Sequence, residues 1–149
     1  MSRFQAVLFI VGMPTVLSPC GARGRRILMK QGAVDCALRD LPGKPLYRSR
    51  CLKTHDRSNQ IGTIESAFIV GDMFCIAGEV FEGQEISLAA CEETMGVSYE
   101  ANNCHVVDMR PERQWEIGRA EFVGAAVLLQ KRAGHKERCL FWLEAQHGR

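Results

Sequence analysis

Short apolar runs alternate with polar breaks along the chain, and most of the runs have the length and composition of strands. Residues 6–11, "AVLFIV", are rich in β-branched and aromatic side chains and end at Gly12 and Pro14. That composition, bounded by turn formers, reads as a buried strand. "RRILM" (25–29) and "LYRSRC" (46–51) are shorter strand candidates. Between them "QGAVDCALRDL" (31–41) sets Val34, Leu38 and Leu41 at helical spacing, and "PGKP" stops the helix. "IGTIESAFIV" and "MFCIAGEVF" flank Gly71-Asp72, which predicts an antiparallel hairpin. In "EGQEISLAACEETMG" (82–96) Ile86, Ala89, Ala90 and Glu93 fall at helical spacing, and Gly96 suits the position just past a helix C-terminus.

The second half reads as "VSYEA" extended, "ANN" a turn, "HVVDM" a strand and "RPERQ" a loop. "EFVGAAVLLQ" (121–130) is the strongest late strand, apolar enough to be covered on both faces. "KRAGHKER" (131–138) reads as a solvated loop, and "CLFWLE" (139–144) either closes the sheet or packs as a terminal helix. Many short strands with two helices predict an α+β fold: a mostly antiparallel, barrel-like sheet with flanking helices. With 149 residues, no internal repeat and no low-complexity linker, residues 1–149 are expected to form one domain.

Charge changes this picture little. The 19 basic and 17 acidic side chains leave a formal net charge of +2, which gives no argument for nucleic acid. The locally basic "GARGRRILMK" (21–30) reads as a solvated face. Seven cysteines (20, 36, 51, 75, 91, 104 and 139) are scattered, without C-x-x-C or zinc-ligand spacing. Reduced thiols in a cytoplasmic protein, with no disulfide and no metal, are expected, Cys75 and Cys139 being buried. The N-terminus has the outline of a signal peptide, but Gly12 and Pro14 break its apolar run and no small-x-small site follows cleanly. It reads as a first core strand, with no membrane span.

Two polar residues stand out against the strands. His55, in "KTHD", precedes an apolar strand, and imidazole titrates near neutral pH, as a general base must. Its neighbour Asp56 is a poor orienting partner, because adjacent residues in extended chain point opposite ways. Ser98, in "MGVSYEA", follows Gly96, but the stretch is not a G-x-S-x-G elbow. A surface histidine and a strand serine are the plain alternatives. A nucleophile at Ser98 needs a base within hydrogen-bond reach and donors for the oxyanion. Phosphate-loop, dinucleotide and zinc-protease motifs are missing, so no cofactor is expected.

The order of these fragments resembles the prohead (capsid maturation) proteases of tailed phages, which belong with the herpesvirus assemblin-type serine proteases. "LPGKPL" (41–46), "KTHD" followed by "IGTIESAFIVGDMFCIAGEVF" (53–56 and 61–81), "MGVSYEA" (95–101) and "EFVGAAVLL" (121–129) carry the resemblance within residues 21–131. The resemblance implies a small β-barrel flanked by helices, Ser98 as nucleophile and His55 as base. It implies a serine endopeptidase of phage or prophage origin, acting in the bacterial cytoplasm inside assembling proheads. Its substrates and partners would be scaffold and capsid proteins, with self-association possible and neither nucleic acid nor membrane involved. One position departs: many members carry a Glu in the late strand, where this chain has Gly124. Glu121 lies three residues away and, without a bulge, faces the other side. Asp108, His105 and Glu100 are the other candidates for a third member. The departure implies weak or context-dependent cleavage by a Ser98/His55 dyad. The alternative is a protease-fold module that no longer cleaves and serves a structural role in head assembly.

Overall fold

The computed structural model describes residues 2–16, 24–48, 57–91, 93–135 and 138–144. Among these, eight strands form one curled sheet, joined by two α-helices. The elements are β1 (Ser2–Ile10), β2 (Arg26–Met29), α1 (Gln31–Asp40), β3 (Pro45–Arg48), β4 (Gln60–Val70), β5 (Met73–Val80), α2 (Gln84–Ala89), β6 (Met95–Met109), β7 (Gln114–Leu129) and β8 (Phe141–Leu143).

The 16-residue β7 organises the sheet. One edge of it pairs antiparallel with β6 from Gln114 to Leu129. The other edge takes β2 and β3, both parallel to it, at its two ends. From β3 the sheet continues antiparallel through β4, β5, β1 and β8. A single bridge from Gly96 to Leu140 brings β6 back toward β8, so the sheet curls into a half-barrel. The antiparallel expectation holds apart from the two parallel neighbours of β7.

The main core cluster draws on both helices and on all eight strands. Phe9 stacks on Phe74 with centroids 4.5 Å apart, and Phe4 stacks on Phe141 at 5.4 Å. Tyr99 meets Phe9 and Phe122 edge-on. Such aromatic pairs bury large apolar areas in fixed geometry. Helix α1 packs on β7 and buries Ala33, Val34 and Ala37, with Leu41 just beyond it, as the helical spacing predicts. The predicted hairpin forms as β4 and β5, and Gly71 supplies the positive φ of 62° in its turn. Residues Gly124 to Leu129 are all buried, as expected for a strand covered on both faces.

Four expectations are corrected. Helix α2 is only six residues, Gln84–Ala89, rather than running to Gly96. Gly96 lies inside β6, where a Cβ would stand 2.6 Å from the Cys139 carbonyl oxygen and 2.9 Å from Gln130 Cα. It is glycine because the segments around Cys139 and Gln130 close upon it, not because a helix stops there. "VSYEA" and "HVVDM" are one 15-residue strand, not two. The "ANN" between them is an irregularity in the ladder, with Asn103 at φ 50°, a left-handed conformation that asparagine tolerates. The supposed solvated loop after β7 buries Ala133 and His135. "CLFWLE" resolves to strand β8. Among the described residues no helix is long and apolar enough to cross a membrane.

Candidate functional site

Strand parity divides β6 into two faces. Val97 and Tyr99 turn to the core, so Ser98, Glu100 and Asn102 share the opposite face. Ser98 is half-buried there and pairs with Ala126, beyond which lies Tyr47 of β3. Glu100, two residues on, pairs with Gly124. It is only 6% exposed. A carboxylate removed from water to that degree needs a partner. Arg57, in the chain entering β4, supplies one: its Nε donates to Glu100 Oε2 at 3.0 Å, and an Nη lies 3.0 Å from the same oxygen. The guanidinium also donates to Asn102 Oδ1 at 3.2 Å.

The departure at Gly124 has a steric cause. A Cβ there would sit 2.8 Å from the Pro45 carbonyl oxygen and 2.9 Å from Tyr47 Cε2. The bulge that would bring Glu121 round is present. Glu100 pairs with Gly124 but Ala101 pairs with Phe122, leaving Val123 as the extra residue. Phe122 and Ala125 therefore both face the core, and Glu121, opposite Asn102, joins the face of Ser98. Glu121 is exposed on that face, whereas Glu100 is buried on it.

The other two candidates lie elsewhere. Asp108 is ten residues along β6, on the order of 30 Å from Ser98, and is paired with Arg25 at 3.1 Å. His105 is exposed and shares a hydrogen bond with Arg119 at 3.0 Å. His55 lies outside the described residues. The chain that follows it becomes described at Arg57, the residue anchored on Glu100. Arg57 is not legible in the sequence, because an arginine in a polar stretch carries no signal of its own. Its nearness to His55 in the chain was the one available hint.

Two further sets of titratable groups sit outside this face. Cys75 and Cys139 are buried thiols, as expected, and burial pushes Cys139 up to about 11. Cys36, Cys91 and Cys104 are also free thiols; Cys20 and Cys51 lie outside the described residues. Among the described residues no group of three or more His, Cys, Asp or Glu could hold a metal ion. His135 is buried between the end of β1 and the segment leading to β8. Its Nδ1 accepts from the Ile10 N–H at 3.4 Å, and its Nε2 lies 2.9 Å from the Met13 carbonyl oxygen.

No family model matches the chain, and neither a curated protein nor a solved structure matches it.

Proposed function

We propose that this chain is a serine endopeptidase of the prohead-protease, assemblin-like type, of phage or prophage origin. Ser98 is its nucleophile and His55 its base. One observation carries the reading furthest: Arg57, two residues after His55 in the chain, is anchored on Glu100 and Asn102, along the same face of β6 that presents Ser98. Ser98 itself is partly exposed, facing Ala126 across the ladder.

In the proposed reaction Ser98 Oγ adds to a peptide carbonyl carbon while its proton passes to His55. The carbon–nitrogen bond then breaks, and the imidazolium gives that proton to the leaving amine. Water hydrolyses the acyl-enzyme, its proton passing to His55 and back to the serine. The substrates are scaffold and capsid proteins, cleaved within the assembling prohead in the bacterial cytoplasm. High local substrate concentration there offsets a modest intrinsic rate.

A second reading has its own support. β7 carries no carboxylate at position 124, and the buried Glu100 is already engaged by Arg57. A protease-fold module serving head assembly structurally has no need of a carboxylate turned to a base. Co-expression with capsid and scaffold proteins separates the two. Processing that stops with Ser98→Ala and with His55→Ala supports the peptidase. Processing that continues in Ser98→Ala rules Ser98 out as nucleophile. Normal head assembly without any processing favours the structural module.

A further inference from the structure

Positive charge gathers at one end of the sheet. That end is built from β2 with its flanking Arg25 and Lys30, and from β6 and β7 between the His105–Arg119 pair and the turn that joins them. Residues 25–30 and 105–119 carry six basic and three acidic side chains, whereas the whole chain has 19 basic and 17 acidic. The rest of the chain is therefore slightly acidic. Several of the six cations are already engaged. Arg25 pairs with Asp108 at 3.1 Å, and Lys30 reaches Glu116 at 3.7 Å. An Arg119 Nη lies 3.0 Å from His105 Nε2. Arg110 is 85% exposed and comes no nearer than 3.9 Å to Asp108, which Arg25 also holds. Arg26 and Arg113 are exposed and, among the described residues, meet no carboxylate. The Arg26 N–H donates to the Arg113 carbonyl at 3.1 Å, so a backbone bond keeps these two residues together. Like charges held close repel one another until a counter-charge arrives.

The counter-charge that fits is a polypeptide's. Val106 and Val107 are exposed amid these cations, and Leu28 and Val107 flank Glu116 in one row. Trp115, the single aromatic ring of this end, is half-buried with the Arg25 guanidinium over it at 5.7 Å, so no open ring face is offered for a base to stack on. Asp108, Glu112 and Glu116 also interrupt the cations, and the close-set phosphates of a nucleic acid meet them as repulsion. Carboxylates spaced along a polypeptide avoid them. We propose that this end of the sheet is a docking surface for an acidic polypeptide segment with apolar side chains between its carboxylates. The carboxylates meet Arg26, Arg110 and Arg113, and an apolar side chain covers Val107. Met109 lies eleven residues beyond Ser98 on β6, on the order of 35 Å away. The segment docks apart from the serine, so the inference stands whether or not Ser98 is a nucleophile.

The test uses a fluorescein-labelled peptide of four Glu-Glu-Leu repeats, titrated with the full chain and read by fluorescence anisotropy. Binding in about 50 mM salt should weaken about ten-fold or more in about 0.5 M salt. Arg26→Glu and Arg113→Glu should each weaken the low-salt binding by about five-fold. Lys44→Glu makes the same change in net charge in the turn before β3 and should leave it within about two-fold. Val107→Ser should weaken binding by about three-fold at both salt concentrations. Both arginines are exposed, so their substitution should preserve the fold, which circular dichroism checks. Arg26→Gln and Arg113→Gln, milder changes at the same positions, should show part of the same loss. Three results would overturn the surface: a wild type that does not bind the peptide in low salt, a Lys44→Glu protein weakened as much as Arg113→Glu, or a twelve-nucleotide oligo-dT bound more tightly than the peptide and lost in the same variants.

Discussion

At the scale of single residues, the glycine at 124 sets a limit on how the site is built. Pro45 O and Tyr47 stand within 2.9 Å of the Cβ position, so this backbone has no space for the glutamate that the resemblance would place there. Gly124→Ala is already expected to cost about 1–3 kcal/mol of stability, through displacement of β3, and Gly124→Glu at least as much. Urea denaturation checks this, and an unchanged midpoint for Gly124→Ala would contradict the close approach. His135 gives a second prediction. Burial holds its pKa below the ordinary 6.5, and the nearby Arg138 cation acts in the same direction, while hydrogen bonds to the Met13 and Pro14 carbonyls oppose. The Ile10 N–H bond to Nδ1 needs the neutral ring. The unfolded chain takes up a proton near pH 6.5 and the folded chain only at lower pH. The neutral ring's contribution is therefore full above 6.5 and is lost as pH falls toward the folded value. Stability of the wild type should drop as pH falls below 6.5, with a slope of up to about 1.4 kcal/mol per pH unit from this one group. In His135→Gln that part of the slope should vanish. Equal slopes in the two proteins would show that His135 titrates normally.

At the scale of elements, what the sequence made legible follows from periodicity. The β4–β5 hairpin stands out because two apolar runs flank Gly71-Asp72, and that turn needs a residue tolerant of positive φ. Helix α1 stands out because Val34, Leu38 and Leu41 mark one face. Gly96 and the Asn102-Asn103 pair misled for one physical reason. Glycine and asparagine mark unusual backbone, yet the sequence does not say whether a turn or a tertiary contact requires it. At Gly96 the cause is the neighbouring segment around Cys139, and at Asn103 it is an irregular ladder. Burial of Glu100 was equally hidden, because its guanidinium partner comes from 43 residues earlier in the chain. The glycine requirement is open to test. Gly96→Ala should push the Cys139 carbonyl away and loosen the bridge between β6 and Leu140. Since the Val7 amide donates to the Leu140 carbonyl at 2.9 Å, its hydrogen exchange should accelerate. Unchanged protection of Val7 would mean that the closure absorbs a methyl group without strain.

At the scale of the whole molecule, the half-barrel explains how distant segments come to one face. Strand pairing lays β3 and β6 on opposite edges of β7, so that Tyr47, Gly124 and Glu100 stand in neighbouring rows. The segment entering β4 also reaches β6, through Arg57 and Glu100. The central claim is that this shared face is a serine-peptidase site with Ser98 as nucleophile. The most direct measurement is the site and stoichiometry of a fluorophosphonate adduct on the intact protein, mapped by peptide mass spectrometry. The account predicts one adduct per chain, on Ser98, absent in Ser98→Ala and strongly slowed in His55→Ala, with all three proteins folded. No adduct at Ser98 in the folded wild type, or labelling that His55→Ala leaves at full rate, would contradict it.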